Sequence, residues 1–196
     1  MSATPSDIQI YCDYMVEVRT RIAVVQAILE GRIGTGIEGC NNELIFLQFR
    51  KILEVIAFAS LAANKQKYSQ VHANFAKHWK PEKMLAELEK INVNFYPTPL
   101  EPMQELPNGV KHFPLMADGF MTKNDFVSLY NVCSDVLHKQ NPYSERDPTI
   151  YTIYGTPRWV ERIQKLLACH SVQLENGYVW VVTIPNEGPV HVAHAH

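Results

Sequence analysis

Asn41–Tyr68 reads NNELIFLQFRKILEVIAFASLAANKQKY, and its reading decides the fold. It holds no Gly or Pro, so nothing in it breaks a helix. Asn41 or Asn42 is predicted to cap the helix, Glu43 favours its first turn, and Lys65 and Lys67 suit its far end. Apolar side chains occupy almost every side, among them Phe46, Phe49, Ile52, Leu53, Ile56 and Phe58. A helix apolar nearly all round is a buried, central one. Three charges depart from that pattern. Glu43, Arg50 and Glu54 follow at spacings of seven and four, so they share one narrow stripe. Charges are rarely buried alone, and the stripe is expected to face solvent, a cleft or a second copy of the chain.

On the N-terminal side, Ser6 or Asp7 can cap a first helix. Ile8, Tyr11, Met15, Val18, Ile22, Val25 and Leu29 then recur at steps of three and four, an amphipathic stripe for core packing. The GRIGTGIEG run at 31–39 follows a helix rather than a strand and lacks GK[ST]. It reads as a glycine-capped helix connection, not a phosphate loop. On the C-terminal side, Pro81 opens a modest helix, PEKMLAELEKI, with Met84, Leu85, Leu88 and Ile91 inward. Five of the chain's 12 prolines fall in 92–121, which excludes a helix there. Asn108-Gly109 marks a turn within this excursion, and two short strands or an ordered loop are both open. Thr122 and Asp125 resemble a capping box before KNDFVSLYNVCSDVLHKQ, which Asn141-Pro142 ends. A last helix is predicted over about Thr156–Ala168. From His170 the apolar period becomes two, with turns at Asn176-Gly177 and Pro185–Gly188. The expected fold is mainly α. A bundle of about five helices spans 1–169, and a small antiparallel hairpin or meander of 170–196 packs on it as an appendage.

The chain has 196 residues, 46% hydrophobic, enough for one domain with a sizeable core. A net charge of -2 and a pI near 6.4 give no overall basic signature for nucleic acid. Cys12, Cys40, Cys133 and Cys169 are dispersed without a CxxC pair, as in reduced cytosolic proteins. The N-terminus lacks the features of a secretory signal, and the apolar run Val55–Ala63 is far below the roughly 18 to 20 residues a bilayer requires. A cytoplasmic protein with no membrane contact is expected. His191, His194 and His196 crowd the C-terminus, but on a strand His191 faces away from the other two. No metal site and no cofactor are expected, and no GxSxG indicates a serine hydrolase.

One other flank carries candidate chemistry. His138 follows Asn131, Ser134 and Asp135 at helical spacing, so Asp135 could orient it as a general acid or base, beside Asn141. FRKILE at Phe49–Glu54, together with LHKQNP at Leu137–Pro142, resembles HEPN-type helical-bundle proteins of bacterial and archaeal defence and toxin–antitoxin systems. The resemblance spans at most residues 8–168. It implies a homodimer with one site at the subunit interface, and metal-independent cleavage of RNA. The family's motif is an Arg that stabilises phosphate charge, a spacer of roughly four to six residues, then a His. His138 matches the His. Asn131, Val132 and Cys133 stand where the Arg would be, so Arg50 is the candidate to supply that charge from the neighbouring helix, with Glu54, Glu43, Asn131, Asp135 and Asn141 in support. Three functions follow as expectations: an HEPN-like protein acting on RNA or a nucleotide, a non-catalytic protein–protein interaction or scaffold module, and a small-molecule-binding protein whose 92–121 segment closes a pocket.

Overall fold

The structure, a computed structural model, describes residues 5–65, 81–138, 154–174 and 177–195. Among them are five helices: α1 (Pro5–Leu29), α2 (Glu38–Ala63), α3 (Pro81–Ile91), α4 (Lys123–Leu137) and α5 (Thr156–Leu167). The strands are β1 (Thr98–Pro99), β2 (Gln104–Glu105), β3 (Lys111–His112), β4 (Cys169–Gln173), β5 (Val179–Thr183) and β6 (His191–Ala195). The chain is mainly α with a small antiparallel sheet, as its patterning predicts. His72, His78, Trp79, Asn141, Pro142, Asn176 and His196 lie outside the described residues. No described helix is long and apolar enough to cross a membrane.

The α2 helix is central and packs on α1, α3 and α4. Phe49, Ile52, Leu53, Ile56 and Ala57 are fully buried. On α1 the stripe holds for Tyr11, Met15, Val18, Ile22 and Val25, which are all buried. Its last member changes: Ile28 is inside, whereas Leu29 is 43% exposed. A period of 3.6 makes either step geometrically available, and the end of the helix selects the shorter. There the chain leaves α1 through a Schellman motif. Gly31 has φ +70°, its N–H bonds the Ile28 carbonyl at 3.0 Å, and the Arg32 N–H bonds the Ala27 carbonyl at 2.9 Å. Gly31→Ala forces a Cβ into left-handed backbone. It is expected to lower unfolding free energy by about 1 kcal/mol in urea titrations; an unchanged midpoint would show that the turn relaxes without cost.

The start of α2 corrects the predicted cap. The helix begins at Glu38 with Ile37 at the N-cap, and no side chain caps it. Asn41 Oδ1 accepts instead from the Thr35 N–H at 2.7 Å and the Thr35 hydroxyl at 3.0 Å. Gly34 permits this fold-back, because a Cβ there would sit 2.9 Å from Asn41 Oδ1. By contrast, Thr122 and Asp125 form the predicted capping box at α4.

The sheet is larger than a meander of 170–196. Its order is β1-β4-β5-β6, all antiparallel, and β1 comes from the proline-rich excursion. Pro99 is tolerated because β1 is an edge strand. Further along, the excursion forms the β2–β3 hairpin, turned at Asn108-Gly109 with Gly109 at φ +76°. The inner face of the sheet joins the helical core: Val172, Trp180 and Val182 are buried, and Tyr11 of α1 packs edge-on to Trp180 with ring centroids 5.7 Å apart.

Candidate functional site

Arg50 leaves α2 at a half-buried position facing α4. Its Nε donates to Glu54 Oε1 at 3.2 Å, so the i,i+4 pair read from the sequence exists. Nη1 donates to the Ser134 hydroxyl at 2.6 Å, and Nη2 donates to the Tyr130 hydroxyl. The guanidinium also lies over the Tyr130 ring, 3.6 Å from its centroid. Glu54 takes a second cation, Lys51, at 2.9 Å through its other oxygen. Ser134 is itself positioned, since its hydroxyl donates back to the Tyr130 carbonyl at 3.1 Å. The result is a clamp from α2 onto one turn of α4. Arg50 and Glu54 side chains are only 23% and 14% exposed, so water competes weakly for these bonds.

The other predicted site residues fall elsewhere. His138 is the exposed C-cap of α4, and its N–H bonds the Ser134 carbonyl at 3.0 Å. Among the described residues Arg50 makes no hydrogen bond to His138; Ser134 stands between them, one helical turn before the histidine. Asn131 and Asp135 are exposed on the outer flank of α4, Glu43 is exposed two turns before Arg50, and Asn141 lies outside the described residues. The structure therefore brings Arg50 and Glu54 together and leaves Glu43, Asn131, Asp135 and His138 at the surface. Ser134 was legible only as a flank serine and Tyr130 carried no signal of its own, and both become ligands of Arg50. Burial pushes the adjacent Cys133 thiol up to about 12 despite the opposing Arg50 charge, so it is no nucleophile at neutral pH.

Two further polar clusters are buried. Asp125 Oδ2 accepts from the Thr122 N–H at 2.9 Å, the Thr122 hydroxyl at 2.8 Å and Arg162 Nη2 at 2.5 Å. Burial alone would raise this carboxyl, but the bonds from Thr122 and Arg162 outweigh it and hold it below the usual range. Arg162 also lies 4.5 Å over the Tyr154 ring. His170, fully buried, contacts the Leu167 carbonyl through Nδ1 at 2.9 Å and the Tyr11 hydroxyl through Nε2 at 2.7 Å. A carbonyl only accepts, so Nδ1 carries the proton and the Tyr11 hydroxyl donates to Nε2. Burial lowers the His170 pKa to about 4, against the opposing pull of the Leu167 carbonyl. His191 and His194 lie on edge strand β6, and no group of three metal-ligating side chains occurs among the described residues. Neither the cleft between α1 and α5 nor the one beside the start of α2 is lined by a residue of 92–121.

No family model matches the chain, and no curated protein or solved structure matches it either.

Proposed function

We propose that this chain is a non-catalytic helical interaction module in which Arg50 and Glu54 lock α2 to α4. The observation that carries the reading is the engagement of Arg50. Glu54, Ser134 and Tyr130 occupy donors on all three of its nitrogens, and Tyr130 covers one face. A guanidinium held this way is poorly placed to meet a developing phosphate charge, which needs free donors aimed at the reacting group. The excursion supplies the surface: Met103, Leu106, Val110 and Leu115 are all exposed, Leu115 by 69%. Its partner in this reading is a second copy. Glu105 on β2 and Lys111 on β3 are opposite each other in the hairpin, so two arms meeting about a two-fold axis can set each carboxylate against an ammonium. Four free cysteines support a reducing, cytoplasmic setting.

A second reading, an HEPN-like protein acting on RNA or a nucleotide, is favoured by one observation. Arg50 docks on Ser134, one turn before His138, so cation and imidazole belong to neighbouring turns. The two readings separate in an RNA cleavage and binding assay of wild type, His138→Ala and Arg50→Met. The interaction reading expects no cleavage by any of them, and a homodimer by sedimentation. Cleavage by wild type that His138→Ala abolishes would overturn it, and a monomer mass would remove the second copy as partner.

A further inference from the structure

Arg19, Ala23 and Gln26 follow at steps of four and three on α1, so they share a flank beside its buried stripe. Gln164 and Ala168, four apart at the end of α5, face them across a cleft closed by the β5–β6 turn at 184–186. The two alanines are too small to fill the gap. What remains is an open cleft of about 450 Å³, within the range of small-molecule sites. Its walls are Val18, Ile22, Leu167, Ile184 and Pro185, and its polar edge is made of the neutral amides Gln26, Gln164 and Asn186.

Among the described residues Arg19 is the one charged side chain that lines it. The arginine is pinned: Nη1 donates to the Pro185 and Gly188 carbonyls, both at 2.8 Å. Carbonyls orient a guanidinium without neutralising it. Nε and Nη2 form the edge that matches a carboxylate with two parallel bonds, and among the described residues they have no partner. A fixed cation, an apolar wall and no lining carboxylate among the described residues define the complement. We propose that this cleft binds a small amphipathic monocarboxylate, with the carboxylate on Arg19 Nε–Nη2 and the hydrocarbon body along Ile22, Leu167 and Ile184. The proposal rests on this cleft alone and not on the role given to Arg50.

The test uses the full chain with octanoate, 1-octanol and octylamine as probes, read by isothermal titration and by thermal shift. Octanoate is expected to bind saturably and to raise Tm. Octanol, which lacks the charge-assisted pair, should bind roughly tenfold more weakly or worse, and octylamine more weakly still. Ala23→Phe fills the cleft from an exposed helix position and keeps Arg19; it should abolish octanoate binding. Arg19→Gln should erase the preference of octanoate over octanol. Because Arg19 also holds the β5–β6 turn, Ala23→Phe decides the matter if Arg19→Gln unfolds. Absence of octanoate binding to wild type, equal binding of octanoate and octanol, or octanoate binding undiminished in Ala23→Phe would each overturn the proposal.

Discussion

Replacing Arg162 by Met is expected to cost about 3 kcal/mol of folding stability, which in a chain of this size lowers Tm by roughly 6 to 12 °C. The Arg162 and Asp125 side chains are 9% and 11% exposed and pair at 2.5 Å. Removing the cation leaves a carboxylate in a dry site with, among the described residues, Thr122 alone to hold it. One effect works the other way. Arg162 Nε is buried without a hydrogen-bond partner, and Met removes that orphan donor. An unmet donor costs about 1 to 3 kcal/mol, so the loss falls at the low end of what breaking a buried ion pair costs, not at the high end. The pH dependence gives a second reading. A carboxylate whose folded pKa is depressed stabilises the fold above its unfolded pKa and loses that contribution as pH falls through the folded one. The difference between wild type and Arg162→Met should therefore be full at neutral pH and shrink below about pH 4. Urea denaturation measures both; a difference under about 1 kcal/mol at neutral pH would mean that water already reaches the pair.

His170 is expected to make the fold acid-sensitive from about pH 6.5 downward. In the native state it is neutral, with a pKa near 4, while in the unfolded chain it titrates near 6.5. Between those values the unfolded state takes up a proton that the folded state refuses. Stability is thus complete above about pH 6.5 and falls as pH drops toward 4, by about 3 kcal/mol in total. Charging the imidazole would place a cation in the core against Tyr11, and the Tyr11 hydroxyl could no longer donate to Nε2. His170→Asn should be less stable at neutral pH, because it disturbs both hydrogen bonds, yet nearly flat over the same range. Thermal unfolding from pH 7 to pH 4.5 tests this; a wild-type profile as flat as that of His170→Asn would count against a buried neutral histidine.

Both effects arise from pairs that local patterning does not encode. The stripe of α1, the capping box of α4 and the Asn108-Gly109 turn are written in neighbouring residues, and they were legible. Even there, the helix end exchanged Leu29 for Ile28, because steps of three and four are equally compatible with one face. Asn41 looked like a cap but serves the loop, since glycines at 34 and 36 let Thr35 reach it first. The long-range partners were not legible at all. Tyr11 and His170 are 159 residues apart, Arg50 and Ser134 are 84 apart, and Asp125 and Arg162 are 37 apart. Spacing shows that a polar side chain sits on the inner flank of a helix. Only the packing of helices and sheet decides which group meets it. For the same reason β1 was hidden in the proline-rich stretch: two residues carry no period, and its pairing with β4 is a tertiary fact. His138 was singled out by its spacing to Asn131, Ser134 and Asp135, and the fold places it exposed at the end of α4.

The central claim is that Arg50 is a lock between α2 and α4. It is tested most directly by a double-mutant cycle of Arg50→Met and Tyr130→Phe, read as unfolding free energy in urea. Tyr130 gives Arg50 both a hydroxyl partner and a ring face, and the α4 hydroxyl alone is removed by Phe. A coupling energy on the order of 1 kcal/mol is expected, as for contacting residues in one polar network. Additive losses, with the two substitutions acting as if at independent sites, would contradict the lock.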